Sequence, residues 1–201
     1  MQLTTVIQKN IRQPAGQIEN LKACLNSGAN KDLGAWIMDN LDIKPYQHIL
    51  EVGYGSGDRL EQVGRKMTIG FLAGLDQSVS MYQQARRRNK SLIAHQMLEL
   101  HIGTIAQLPY PPHYFHSIFG SNMNYHWQQP RYEFMQLTKM LKSGGRMVMA
   151  FQSKRSEGPG MAREAAKKIR TDFELAGLEQ IQIDLDPSSG NRFVAALGIK
   201  P

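Results

Sequence analysis

The chain has 201 residues, with 24 Lys and Arg against 17 Asp and Glu for a formal net charge of +7, and 41% of it is hydrophobic. That length suits one α/β domain with a full core and leaves too little for a second, while the composition excludes a long disordered tract and a membrane span. The single cysteine, Cys24, excludes an internal disulfide and fits a reducing compartment, so a cytoplasmic location is expected.

Residues 1–16 mix Gln, Lys, Arg and Thr with isolated apolar side chains and lack the continuous apolar run of a signal peptide. Residues 14–36 read as helices, either lying over a pocket mouth with Asn26, Asn30 and Trp36 toward substrate, or packed on the edge of a sheet. Both arrangements stay open. We expect residues 1–45 to form an N-terminal helical segment or lid and residues 46–201 the core domain.

The core opens with a short apolar strand, His48–Val52, that runs into clustered glycines. Leu60, Val63 and Met67 recur at helical spacing, residues 70–76 read as a second strand, and residues 77–88 as a helix. A third strand is expected over residues 94–101, a fourth over 116–121, a helix over 131–141 and a fifth strand over 146–152. Residues 162–176 then form a helix stopped by Gly177, and residues 179–185 and 193–198 form a terminal hairpin. Alternating strands and helices demand a parallel sheet. The expected fold is therefore α/β, a Rossmann-like doubly wound sheet, mostly parallel with one antiparallel strand near the C-terminus and helices on both faces.

Between the first strand and its helix, Glu51, Val52, Gly53, Tyr54, Gly55, Ser56 and Gly57 alternate glycine with other residues, a bend at which a ligand can approach the backbone closely. Such turns also occur without ligands, so the neighbours decide. Glu51 puts a carboxylate at the end of a buried strand, where a pyrophosphate would meet like charge with little screening; NAD and ATP are disfavoured. S-adenosylmethionine, with an ammonium and a sulfonium, is favoured at the same place. A salt-bridged or helix-capping glutamate is the plainer alternative. Asp76 follows about twenty residues later, the spacing at which an acid meets ribose hydroxyls in doubly wound sheets, although it could equally cap the helix after Gln77.

ILEVGYGSGDR at residues 49–59 and GLDQS at residues 74–78 resemble the class I S-adenosylmethionine-dependent methyltransferases. GTIAQLPY, FHSIFGSN, MLKSGGRMVM and AGLEQIQI, beginning at residues 103, 115, 140 and 176, are similar to later segments of that family. Within it the chain looks most like small bacterial enzymes related to the quinone-biosynthesis methyltransferases, and residues 11–47 resemble a leader found in some small-molecule members. The resemblance implies a cofactor site of Glu51, Gly53, Tyr54, Gly55, Gly57, Asp76, Gln77, Thr104, Ile105, Ala106 and Asn122. In it the glycines line the methionine end of S-adenosylmethionine, Glu51 supports its ammonium, and Asp76 takes the ribose. The adenine lies near residues 104–106, and S-adenosylhomocysteine is the product. Thr104, His116 and Ser143 stand where the family often has Asp, Asp and Pro.

In open parallel sheets the ligand lies beyond the carboxyl ends of the strands, so the loop SNMNYHWQQ, residues 121–129, faces the cofactor. His126 is the candidate base, since its imidazole titrates near neutrality, and Tyr125 is grouped with it; Tyr125 and Trp127 also serve as walls. A packed histidine is the alternative. His113 and His116 lack a third ligand, so no metal is expected.

The expected activity is methyl transfer to a small-molecule acceptor by in-line displacement. RNA or protein acceptors, or a non-catalytic cofactor-binding role, are the alternatives. The basic run Arg86, Arg87, Arg88 and Lys90 reads as a solvated helix end, and SNMN is not the Pro-Pro-aromatic motif that stacks a flipped base, so nucleic acid is disfavoured. The oligomeric state stays open, a homodimer included.

Overall fold

The computed structural model describes residues 28–121, 129–152, 159–185 and 193–201. Its first element is helix α1, Gly28–Asn40. The core then runs β1 (His48–Val52), α2 (Asp58–Gly64), β2 (Phe71–Asp76), α3 (Val79–Arg88), α4 (Lys90–Ala94) and β3 (Leu98–Ile102). A short 3-10 turn, Ile105–Gln107, leads to β4 (Phe115–Ser121), α5 (Pro130–Met140) and β5 (Leu141–Gln152). The chain ends with α6 (Pro159–Leu175), β6 (Glu179–Leu185) and β7 (Phe193–Ile199).

The seven strands lie in the order β3-β2-β1-β4-β5-β7-β6. Pairing is parallel from β3 through β5, and β7 is antiparallel to both of its neighbours. This is the doubly wound sheet with one reversed strand that the sequence predicts. Its strand order turns back between β1 and β4, the point where such sheets bind ligands at the carboxyl ends of the strands.

Two apolar layers clothe the sheet. On one face Leu33, Ile37 and Leu41 of α1 and its C-terminal end, with Leu60 and Val63 of α2, pack against Ile49, Leu72, Phe119 and Val148. On the other, Phe134 and Leu137 of α5 and Ile169 and Phe173 of α6 pack against Leu50, Ile118, Met147 and Met149. Adjacent residues Ile49 and Leu50, or Met147 and Val148, go to opposite layers because side chains alternate along a strand. Both faces are covered, which is why these strands read as continuous apolar runs.

Two strand boundaries differ from the sequence reading by more than one residue. The predicted third strand begins at residue 94, but Ala94 closes the short helix α4, and pairing with β2 starts at Leu98. Asn89 causes this: its side-chain amide donates to the Ala85 carbonyl at 3.0 Å, ending α3, and its own carbonyl accepts from Ile93 to begin another turn. The fifth strand starts at Leu141, earlier than the expected 146, yet its register shifts before Ser117 pairs Arg146.

Candidate active site

The glycine bend is held from outside the crevice. Gly53 N–H donates to the Leu75 carbonyl at 2.7 Å, and Gly57 N–H to the Tyr54 carbonyl at 2.8 Å. Gly57 has φ 77°, and a Cβ on it would lie 2.6 Å from Asn89 Nδ2 and 2.8 Å from Ala85 Cβ, so only glycine lets α3 close against the loop. Gly55 differs. It also has positive φ, 51°, but nothing lies within 4 Å of where its Cβ would be. The helix side of the bend is packed, and the side at Gly55 is open.

Asp76, at the end of β2, clamps that open turn. One carboxylate oxygen accepts from Gly55 N–H at 2.9 Å and the other from Ser78 N–H at 2.9 Å. Helix α3 takes its side-chain cap from Ser78, whose hydroxyl accepts from Met81 N–H at 3.3 Å. Asp76 is therefore not the cap. Next to it Gln77 is exposed.

Glu51 ends up 1% exposed, and neither of its carboxylate oxygens closes a hydrogen bond within the described residues. Burial pushes its carboxyl up to about 8; the nearby Arg59 guanidinium and Leu60 amide oppose this, while the charges of Asp76 and Asp58 add to it. A buried acid without a partner costs the fold stability unless something cationic arrives. No salt bridge to Glu51 forms among the described residues, and the Leu60 amide in the first turn of α2 is the backbone group that acts on its carboxyl.

Arg59, in the first turn of α2, is a residue the motif reading passed over. Its Nη1 donates to the hydroxyl of Ser121, the last residue of β4, at 3.0 Å. A cation in the first turn of a helix opposes the helix dipole, and that was the signal available in the sequence. Asn89, also unremarked there, is 2% exposed and donates to the Gly57 carbonyl at 3.0 Å, tying the loop to α3.

The remaining predicted residues fall in several places. Tyr54 turns its ring into the core, 3% exposed, and donates its hydroxyl to the His101 carbonyl at 3.3 Å, so only its backbone borders the crevice. Thr104 and Ala106 are exposed and Ile105 is buried against Val52 and Leu75. The Thr104 hydroxyl is engaged by Gln107 Oε1 at 3.1 Å. Asn122, Tyr125 and His126 lie outside the described residues, as do Cys24 and Asn26. Trp36 donates its indole N–H to Asp184 Oδ2 at 2.7 Å and so braces α1 against β6. His113 and His116 take different partners: the His116 Nδ1 accepts from His48 N–H at 2.9 Å, and the His113 ring lies 3.3 Å from Lys200 Nζ.

Residues 49–145 match a protein family described as a methyltransferase domain. The chain is 27% identical over 173 residues to an uncharacterized methyltransferase of Bacillus subtilis, YdaC, covering 86% of this chain and 93% of that protein. A crystal structure of a SAM-dependent methyltransferase from Aquifex aeolicus superposes with a TM-score of 0.72 at 15% identity, covering 94% of this chain and all of that one. Residues 49–145 are a methyltransferase domain, and the fold is the one shared by S-adenosylmethionine-dependent methyltransferases. As such a methyltransferase the chain uses S-adenosylmethionine as its cofactor. It is also 30% identical over 113 residues to the demethylmenaquinone methyltransferase of Symbiobacterium thermophilum, covering 55% of this chain and 45% of that enzyme. The chemistry of the crevice fits a cationic nucleoside: the methyltransferase offers an unpartnered buried acid and an open, side-chain-free turn at the end of its central strand. Among the described residues no helix is long and apolar enough to cross a membrane.

Proposed function

We propose that this methyltransferase acts on a small-molecule acceptor, holding S-adenosylmethionine over the carboxyl ends of β1 and β2 and the acceptor beyond β4. The observation that carries the cofactor's placing is Glu51, buried without a hydrogen-bond partner in β1 just ahead of the open turn at Gly55. When bound, the cofactor supplies a methyl group on a sulfonium, a good leaving group for in-line displacement.

The chain's own part is alignment and exclusion of water. Glu51 receives the ammonium of the methionine end, and the backbone at Gly53, Tyr54, Gly55 and Gly57 lets that end lie close. Asp76 and Gln77 face the ribose. Residues 104–106 border the adenine, with Ile105 as an apolar base, and Asn122 closes the cofactor side. In the loop after β4, His126 takes a proton from a hydroxyl or carbon acceptor as the bond to the methyl carbon forms, and Tyr125 shapes the pocket beside it. An amine or thiol acceptor needs no such base.

Residues 1–45 form the N-terminal segment and 46–201 the catalytic core. No cysteine pair is present to require an oxidising compartment, which supports a cytoplasmic location. The likeness to a demethylmenaquinone methyltransferase supports a small acceptor. The net charge of +7 favours a second reading, an RNA acceptor. Against it, Arg88 of the basic run is engaged by Asp58 at 2.6 Å, which reduces the free positive charge beside the crevice. Incubation with methyl-labelled cofactor and separate metabolite, RNA and protein pools tests the assignment: label is expected in the small-molecule fraction, and label confined to RNA or protein contradicts it.

A further inference from the structure

Among the described residues the sheet ends in two edges, β3 and β6. An open edge presents a row of unpaired N–H and C=O groups, a template for a further strand unless it is blunted. The β6 edge is blunted. Its pairing with β7 shifts register between Glu179 and Gln182, where Gln180 takes a positive φ of 49°, and Arg170 Nη1 donates to the Ile181 carbonyl at 3.2 Å. The β3 edge has neither device among the described residues. Leu98, Glu99, Leu100, His101 and Ile102 pair with β2 in unbroken register and include no proline, lysine or arginine. Tyr82, Arg86 and Ile93 border a groove beside this strand.

The ladder decides which main-chain groups face outward. Leu72 N–H donates to the Met97 carbonyl at 2.8 Å and Gly103 N–H to the Asp76 carbonyl at 3.0 Å, so Met97, Glu99, His101 and Gly103 bond toward β2. The residues between them, Leu98, Leu100 and Ile102, turn their N–H and C=O groups to the outer edge. They are spaced symmetrically about Leu100. Antiparallel pairing with an identical strand, centred there, sets Leu100 opposite Leu100 and Leu98 opposite Ile102 as hydrogen-bonded pairs, and Ile102, 41% exposed in the single chain, gains cover. Glu99 then faces His101 of the copy in the closer, non-hydrogen-bonded positions, an acid against an imidazole on both sides of the axis. Tyr110 already holds both side chains on that face, its hydroxyl donating to Glu99 Oε2 at 2.9 Å and lying 2.7 Å from His101 Nε2. Sliding the register by two residues sets Glu99 opposite Glu99, or His101 opposite His101, and like groups directly opposite destabilise a pair.

We propose that the β3 edge docks a second copy of this chain, the two strands pairing antiparallel about Leu100 so that the two sheets become one. The outward N–H and C=O groups supply the attraction, and the Glu99–His101 pairs select the register. An interface built on one short strand is small, so the dimer is a weak one that exchanges with monomer.

Sedimentation equilibrium of the full chain tests the proposal. The wild-type protein is expected to be dimeric at about 100 μM and to dissociate on dilution. Leu100→Pro removes an outward N–H while sparing the ladder to β2, so it should be monomeric at the same concentration with its circular dichroism unchanged. Glu99→Arg should weaken the dimer roughly tenfold through two mismatched pairs, and combining it with His101→Glu should restore the wild-type affinity. Hydrogen exchange adds a local reading: the Leu100 and Ile102 amides should gain protection as protein concentration rises. A wild-type protein that stays monomeric at about 100 μM overturns the proposal. So does a dimer that survives either single substitution, which places the contact on another surface. If Leu100→Pro fails to fold, the charge exchange decides, since a double variant that stays as weak as Glu99→Arg contradicts the register.

Discussion

At Glu51, folding and ligand binding pull in opposite directions. A carboxyl raised to about 8 in the folded chain, against an ordinary value of 4.5, holds its proton more tightly folded than unfolded. The cofactor-free protein therefore loses stability from this group as pH rises from 4.5 toward 8. Glu51→Gln should remove that slope and stabilise the free protein at pH 8 by about 2–4 kcal/mol, while weakening S-adenosylmethionine binding at least tenfold. Thermal melts and calorimetry across pH check both halves. The presence of an acid at this place is legible in the sequence, but its lack of a partner is not, because that depends on where Arg59 turns. The two glycines separate in the same way. Gly55→Val should strain the loop by about 1–2 kcal/mol yet abolish cofactor binding, since its side chain enters the open crevice. Gly57→Ala, which meets Asn89 and Ala85, should instead lower the melting temperature first.

Among the elements, helix α1 is where sequence and structure part most informatively. Its composition is compatible with a lid or with a helix packed on the sheet, and the apolar spacing of Leu33, Ile37 and Leu41 does not say which surface they meet. In the structure all three are essentially unexposed and form one layer of the core with Ile49, Phe119 and Val148. Ile37→Ala is expected to cost about 2–4 kcal/mol, read by chemical denaturation. An unchanged midpoint would mean that α1 is dispensable to the core. The strands were legible because residues buried on both faces leave unbroken apolar runs. Their edges were not: the start of β3 depends on Asn89 ending one helix and seeding another, and that of β5 on a register shift opposite Phe115. Local propensity carries neither signal.

Over the whole molecule, stability should pass through a maximum with pH. Burial holds His48, His101 and His116 below the ordinary histidine range, and Lys142 lowers His48 and His116 further. The unfolded chain then binds more protons below about 6.5, so stability falls as pH drops through that value and below. This slope opposes those from Glu51 and from Glu133, whose carboxyl burial also raises, so Glu51→Gln should let more of the histidine slope show, as a melting temperature that rises more steeply from pH 5 to pH 7 than in the wild-type protein. The mostly parallel sheet with one reversed strand follows from the alternation of elements; its strand order, with the turn between β1 and β4, and the placing of a buried acid ahead of an open turn there required the fold. The most direct measurement is calorimetric titration of the wild-type protein with S-adenosylmethionine at pH 7, repeated in the presence of excess NAD. The account predicts one site per chain, indifferent to NAD and absent in Gly55→Val. Heat that NAD suppresses, or binding that Gly55→Val leaves intact, would contradict it.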